Sequence, residues 1–143
     1  MTRVGGPLID VAALTSWERK KLYRDPTRIK LAKGIYVRER DWWSLSDRDR
    51  AIAKIVATGA GVPGAIAAGQ SAALIHEMPL KGWEANTPLE FGMFGATTGK
   101  RRDWTFRHIT IHQTLSAVFV ETEFGKVQVT TAAATGLDLA RWH

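Results

Sequence analysis

The chain has 143 residues, no cysteine, 45% hydrophobic residues and a formal net charge of +6. That length and apolar content suffice for a buried core, and the missing cysteines exclude disulfides and thiolate metal centres. No apolar run is long enough to span a bilayer, and the opening Met1-Thr2-Arg3-Val4-Gly5-Gly6-Pro7 lacks a signal-peptide core, which points to the cytoplasm.

Residues 7–14 predict a short first helix with Leu8, Ile9, Val11, Ala12 and Leu14 as its apolar positions. Thr15-Ser16 is a break of N-cap type, and Glu18 suits the positive end of a second helix. On that helix Trp17, Leu22 and the Lys21 stem are expected to face the core, while Arg19, Lys20, Tyr23 and Arg24 face outward. Asp25-Pro26 ends it, because proline disfavours helical geometry in the residue before it. Ile29, Leu31, Ile35 and Val37 then mark two short strands around a Lys33-Gly34 turn, where glycine supplies a positive φ. Trp42-Trp43 is expected to cover the joint with the remainder.

Ser46 caps a helix predicted over residues 47–58, with Asp47 and Asp49 in its first turn and Ile52, Ile55 and Val56 as its buried stripe. The glycines of Gly59-Ala60-Gly61-Val62-Pro63-Gly64 stop it. Residues 65–67 read as a short buried strand and residues 70–76 as a helix of small residues ended by Pro79. From Pro88 the pattern turns to strands: Leu89, Phe91 and Met93 alternate, and a run over residues 105–112 follows. Val118-Phe119-Val120 and Val127-Gln128-Val129 flank a Glu123-Phe124-Gly125-Lys126 turn, and residues 132–142 close the chain as a helix. The fold class expected is α+β. Residues 1–45 form a head of helix and hairpin, and residues 46–143 form a small mixed α/β unit with a four- or five-stranded antiparallel sheet.

The charge is uneven. Residues 1–50 hold 12 Lys+Arg against 7 Asp+Glu, whereas residues 51–143 hold 8 against 7. A positive field confined to the first third argues for a polyanion-binding module. Ser16, Arg19 and Lys20 are expected to approach bases and Arg24 to hold phosphate, with Tyr23 on the same outward face. Arg28, Lys30 and Lys33 flank the groove from the hairpin. The competing reading is a solvated helix beside an edge hairpin that charges protect from aggregation. Lys100-Arg101-Arg102 reads as a solvated basic loop.

Catalytic patterns are weak. Ser71 and His76 lie five apart, so on a helix they diverge, and no strand–turn–helix elbow surrounds the serine. His108 and His112 would sit about 13 Å apart along a strand, too far to share a metal. Gly59-x-Gly61-x-x-Gly64 has dinucleotide-fingerprint spacing but follows a helix rather than a strand. Asp138 reads as a partly buried structural residue. Neither enzymatic activity nor a cofactor or metal is expected.

Three stretches carry a family resemblance. One is the hairpin wing, Arg28 to Val37, in which Lys33-Gly34-Ile35-Tyr36-Val37 follows the pattern of a basic residue, glycine, an aliphatic and tyrosine. Another is Ser71-Ala72-Ala73-Leu74-Ile75-His76-Glu77-Met78-Pro79-Leu80. The third runs from Val129 through Gly136-Leu137-Asp138-Leu139-Ala140-Arg141. In this order the chain resembles the AbiEi family of type IV antitoxins and related transcriptional regulators. The resemblance implies a winged helix-turn-helix head and a C-terminal α/β unit. It implies double-stranded DNA as partner at the operon's own promoter. It also implies action against a toxin of the nucleotidyltransferase class without a stable complex. Many members of that family continue beyond a corresponding last helix, so the chain stands as a short member or as part of a longer protein. Two other readings stay open: a protein-interaction module that neutralises a toxin without DNA, and the targeting half of a nuclease. Oligomeric state is left open by the sequence.

Overall fold

Thr15 fixes where the first helix starts. Its hydroxyl accepts from the Glu18 amide, and the Glu18 carboxylate accepts from the Thr15 amide, so two otherwise orphaned donors are satisfied reciprocally. Helix α1 (Ser16–Arg24) follows in this computed structural model, which describes residues 2–94, 99–101, 104–109 and 117–142. After α1 come strands β2 (Arg28–Ala32) and β3 (Ile35–Arg38), joined at Lys33-Gly34 with Gly34 at φ 76°. The hairpin turn is where the sequence placed it.

Residues 7–14 do not form the expected first helix. They give strand β1 (Ile9–Asp10) and one 3-10 turn (Val11–Ala13). The Asp10 carboxylate accepts from the Ala12 amide, which favours a capped turn over a continuing helix. The Val11 amide then donates to the Gly34 carbonyl, tying this turn to the hairpin. The three strands form an antiparallel sheet in the order β1-β3-β2, with an irregularity in register between Lys30 and Ala32.

Alternation along β3 sorts the two faces of this sheet. Ile35 and Val37 are fully buried in the core, while Tyr36 points to the side that carries α1. Leu22 is the buried residue of α1. Trp17 is not: it is 69% exposed, with the Lys21 ammonium 5.3 Å from its ring centroid. Five positions apart on a helix, Trp17 and Leu22 point about 140° apart, so one sheet cannot bury both.

The tryptophan pair also divides. Helix α2 (Glu39–Trp43) buries Trp42 and leaves Trp43 64% exposed. Helix α3 (Asp47–Gly61) starts at Ser46, whose hydroxyl accepts from the Asp49 amide. It runs to Gly61 rather than stopping at the first glycine. It packs against β2 and β3 and also against two strands of a larger sheet, β4 (Ala65–Ala67) and β9 (Gly125–Thr130). Its glycines permit close approach. A β-carbon on Gly61 would lie 3.1 Å from the Lys33 carbonyl oxygen, and one on Gly59 would lie 3.3 Å from Val127 Cγ2. The Gly61→Val variant is therefore expected to lose about 1–3 kcal/mol, because the hairpin backbone cannot yield to the added bulk. Gly136→Ala, whose β-carbon meets nothing within 4 Å, provides the contrast and should hold or raise the melting temperature. Equal melting temperatures for Gly61→Val and the parent would refute the close-approach role.

The larger sheet has six strands in the order β6-β7-β5-β4-β9-β8. Its remaining members are β5 (Leu89–Phe94), β6 (Gly99–Arg101), β7 (Trp104–Ile109) and β8 (Ala117–Thr122). It is mixed rather than the four- or five-stranded antiparallel sheet expected: β4–β9 and β5–β7 are parallel. Strand β6, read from sequence as a basic loop, turns the chain so that β7 meets β5 in parallel. Helices α4 (Gly69–Ile75) and α5 (Ala132–Trp142) pack on each other, and α4 also packs on β5. The chain is thus mixed α+β. One core joins Val4, Leu8, Ile35, Val37 and Trp42 to Ile55, Phe91 and Val129, so it is continuous across Leu45. Among the described residues no helix is long and apolar enough to cross a membrane.

The N-terminal arm, which no sequence pattern singled out, binds these parts together. The Gly5 amide donates to the carbonyl of Phe124, a buried residue of the two-residue β8–β9 turn. Arg3 grips buried Asp10 through Nε and Nη2 at 2.9 and 2.8 Å, and its Nη1 donates to the Ala60 carbonyl at the end of α3. This guanidinium, the Arg3 amide and the Ala12 amide hold the Asp10 carboxyl well below the usual carboxylate range, against the opposing effect of burial.

Candidate nucleic-acid interface

Every residue that the sequence nominated is exposed: Ser16, Arg19, Lys20, Tyr23, Arg24, Arg28, Lys30 and Lys33. At 100° per residue the five on α1 fall within an arc of about 140°, so they form one stripe. Tyr23 links this stripe to the hairpin. Its ring meets Tyr36 edge-on, with centroids 6.1 Å apart. Lys30 sits directly opposite Tyr36 in the β2–β3 register, and directly opposed residues share a face. The hairpin cation Lys30 therefore lies on the sheet face that carries α1. Lys33 sits in the turn beyond it.

Among the described residues no acidic side chain pairs with Arg19, Lys20, Arg24, Lys30 or Lys33. Five exposed cations without counter-charges leave an outward positive field, which is the electrostatic requirement for a phosphate surface.

Arg28 is placed differently from the others. Its Nη1 donates to the Asp25 carbonyl at 2.8 Å, so it braces the α1–β2 connection. Asp25 organises that connection: its carboxylate accepts from the Thr27 hydroxyl at 2.6 Å and from the Thr27 amide at 2.8 Å. Those hydrogen bonds hold its carboxyl below the usual range, with smaller help from Arg38 and Arg28. Arg38 stands 3.6 Å from Asp25 and directly opposite Arg28 in the hairpin. Sequence reading passed over Arg38 and Arg40, although alternation from Ile35 and Val37 marks Arg38 as outward.

The other nominated groups are separate from this surface. Ser71 Oγ accepts from the buried Glu90 amide, and His76 Nε2 lies 2.7 Å from the Thr130 carbonyl, so the serine and histidine serve different partners. Thr130 and Thr135 join hydroxyls at 2.7 Å beneath α5. Asp138 is buried more deeply than expected, at 2% exposure, and pairs with Arg141. Lys100 and Arg101 belong to β6 instead of a loop. Arg102, His112 and the His108 side chain lie outside the described residues.

Comparison with protein-family models, with curated proteins and with solved structures gives no match.

Proposed function

We propose that this chain binds duplex DNA through α1 and the β2–β3 hairpin, acting as an antitoxin-type regulator that represses its own operon and counters a nucleotidyltransferase-class toxin. The observation that carries the reading is the set of unpaired exposed cations on the α1 stripe and the adjoining hairpin. Element order supports it. A strand, a turn, a helix and a two-stranded wing follow one another, and the first strand pairs with the last. We read this order as a winged head, with the 3-10 turn in place of the leading helix of a helix-turn-helix. Ser16, Arg19 and Lys20 approach bases; Arg24, Lys30 and Lys33 hold phosphates; Arg28 braces the helix between them. The family resemblance in the sequence supplies the antitoxin part of the proposal. Catalysis and a cofactor form no part of it.

Fluorescence anisotropy with the gene's upstream duplex and a scrambled duplex tests the reading across a salt series. Neutralising three phosphates predicts that log affinity falls with log salt at a slope of about −2.7, since each contributes about 0.9. Lys20→Ala combined with Arg24→Ala should flatten that slope by about 0.9, through the phosphate contact of Arg24, and erase the preference for the upstream duplex through the loss of Lys20. Affinity that ignores salt, or equal affinity for both duplexes, defeats the proposal.

One observation favours a second reading, a protein-interaction module that meets the toxin directly. Strand β8 is a sheet edge with Val118 and Phe119 exposed, the latter at 67%. Exposed apolar edges pair readily with other chains. Co-purification with the toxin that is lost in Phe119→Lys, together with absent duplex binding, would select it.

A further inference from the structure

Trp43 lines two open recesses. One, of about 400 Å³, is lined by Trp42, Trp43, Arg50, Lys54 and Asn86 among others. The other is lined by Thr27, Arg38, Glu39, Arg40 and Trp43. Arg50 lies 5.0 Å from the Trp43 ring centroid, and Lys54 lies 5.7 Å from that of Trp42. Arg50 and Lys54 are four residues apart on α3, so they project on one face of that helix. Asp47 pairs with Arg50 at 2.7 Å, Asp25 stands 3.6 Å from Arg38, and Glu39 lines the second recess, so Arg38, Arg40, Arg50 and Lys54 meet three acids along the strip.

We infer that this strip is a binding site for single-stranded nucleic acid, with an unpaired base stacked on Trp43 and the neighbouring phosphates held by Arg40, Arg50 and Lys54. The chemistry chooses the occupant. A duplex hides its base faces in its own stack, so it has cations to meet here but no use for a bare indole. A single strand offers both a π-face and closely spaced phosphates. An uncharged membrane surface or an apolar peptide would use the indole and leave the cations without partners. Trp43 is 64% exposed on a five-residue helix whose neighbouring tryptophan is buried, so its indole is open to a ligand. Cation–π contact with Arg50 pre-orients the ring. This site is separate from the α1 stripe and does not depend on that stripe reading a duplex.

The test is anisotropy with a labelled short oligothymidylate, the upstream duplex and free thymidine monophosphate as competitor. Trp43→Ala should weaken oligothymidylate binding about tenfold, whereas Trp43→Phe, which keeps a stacking face, should stay within about threefold. Arg50→Ala with Lys54→Ala should weaken it and flatten its salt slope by about 1.4, at about 0.7 per phosphate on a single strand. Lys20→Ala with Arg24→Ala should leave it unchanged while lowering duplex binding, so the two proposals fail separately. Thermal melts confirm that each variant folds, and the Phe variant decides the matter if the Ala variant does not. Absent oligothymidylate binding, equal binding by native protein and Trp43→Ala, or competition by the free nucleotide as effective as by the oligomer would each overturn the inference.

Discussion

Replacing Arg3 by alanine is expected to destabilise the protein by about 3 kcal/mol at neutral pH, the low end for breaking a buried ion pair because Arg3 is itself partly exposed. Asp10 is 3% exposed. In the parent its carboxylate accepts from Arg3 Nε, from Arg3 Nη2, from the Arg3 amide and from the Ala12 amide. The variant keeps the carboxylate and removes the guanidinium, leaving a buried charge with backbone donors alone. The pH dependence follows from the direction of the shift. In the parent Asp10 is depressed, so its contribution is full above the unfolded value of about 3.9 and fades as pH falls toward the lower folded value. In the variant, burial without the guanidinium favours the protonated form, so acid relieves the damage. The stability gap between the two proteins should therefore narrow below about pH 4. Urea melts across that range check it, and a constant gap would mean that Arg3 acts through packing alone. The change also bears on binding. Asp10 belongs to β1, and Ile9 beside it faces Tyr36, whose ring supports Tyr23 of α1. A loosened β1 removes the floor under the proposed DNA-contacting stripe.

What was legible in the sequence was local. The Thr15 and Ser46 caps, the Lys33-Gly34 turn, the β8–β9 hairpin and the closing helix are written within a few residues of where they act, and the structure has them all. What was not legible depended on distant partners. The apolar spacing of residues 7–14 suits a helix, but Asp10 answers to Arg3 and Ala12, and the segment becomes a strand and a turn. Gly5 and Gly6 carry no pattern by themselves. Their role appears only against the β8–β9 turn, where a β-carbon on Gly6 would come within 2.7 Å of the Glu123 carbonyl oxygen. Parallel pairing of β5 with β7 leaves the same alternation in sequence as an antiparallel hairpin would, so the sheet's order could not be read. Trp17 is a different kind of miss, since its angular offset from Leu22 was available and propensity for burial outweighed it. At the interface, residue type and exposure were legible, whereas the bracing contact of Arg28 depends on where the fold places the Asp25 carbonyl.

Substituting Gly69 by alanine should be nearly as damaging as losing Arg3, at about 3 kcal/mol, for an unrelated reason. Gly69 opens α4 at φ 52°, a left-handed conformation that alanine adopts only under strain. Its β-carbon would also lie 2.8 Å from Glu90 Oε1 and 3.0 Å from Glu90 Cδ. Retreat would cost Glu90, which is 4% exposed, the bond its carboxylate makes. Its carboxylate accepts from the Gln70 amide at 3.0 Å, its own amide donates to Ser71 Oγ at 2.8 Å, and its carbonyl accepts from the Ala68 amide at 3.1 Å. Strain and overpacking thus add. A double-mutant cycle separates them: beside Glu90→Ala the collision disappears, and Gly69→Ala should then cost only the backbone strain, about 1 kcal/mol. Strict additivity of the two substitutions would show that the carboxylate is not the obstacle. Among the described residues, the hydrogen bonds to Glu90 given above come from α4 and the residue preceding it, none from α1 or its hairpin. Folded Gly69→Ala protein should accordingly bind duplex as the parent does, so a loss of affinity in that variant beyond its unfolded fraction would reveal coupling between the two ends of the core.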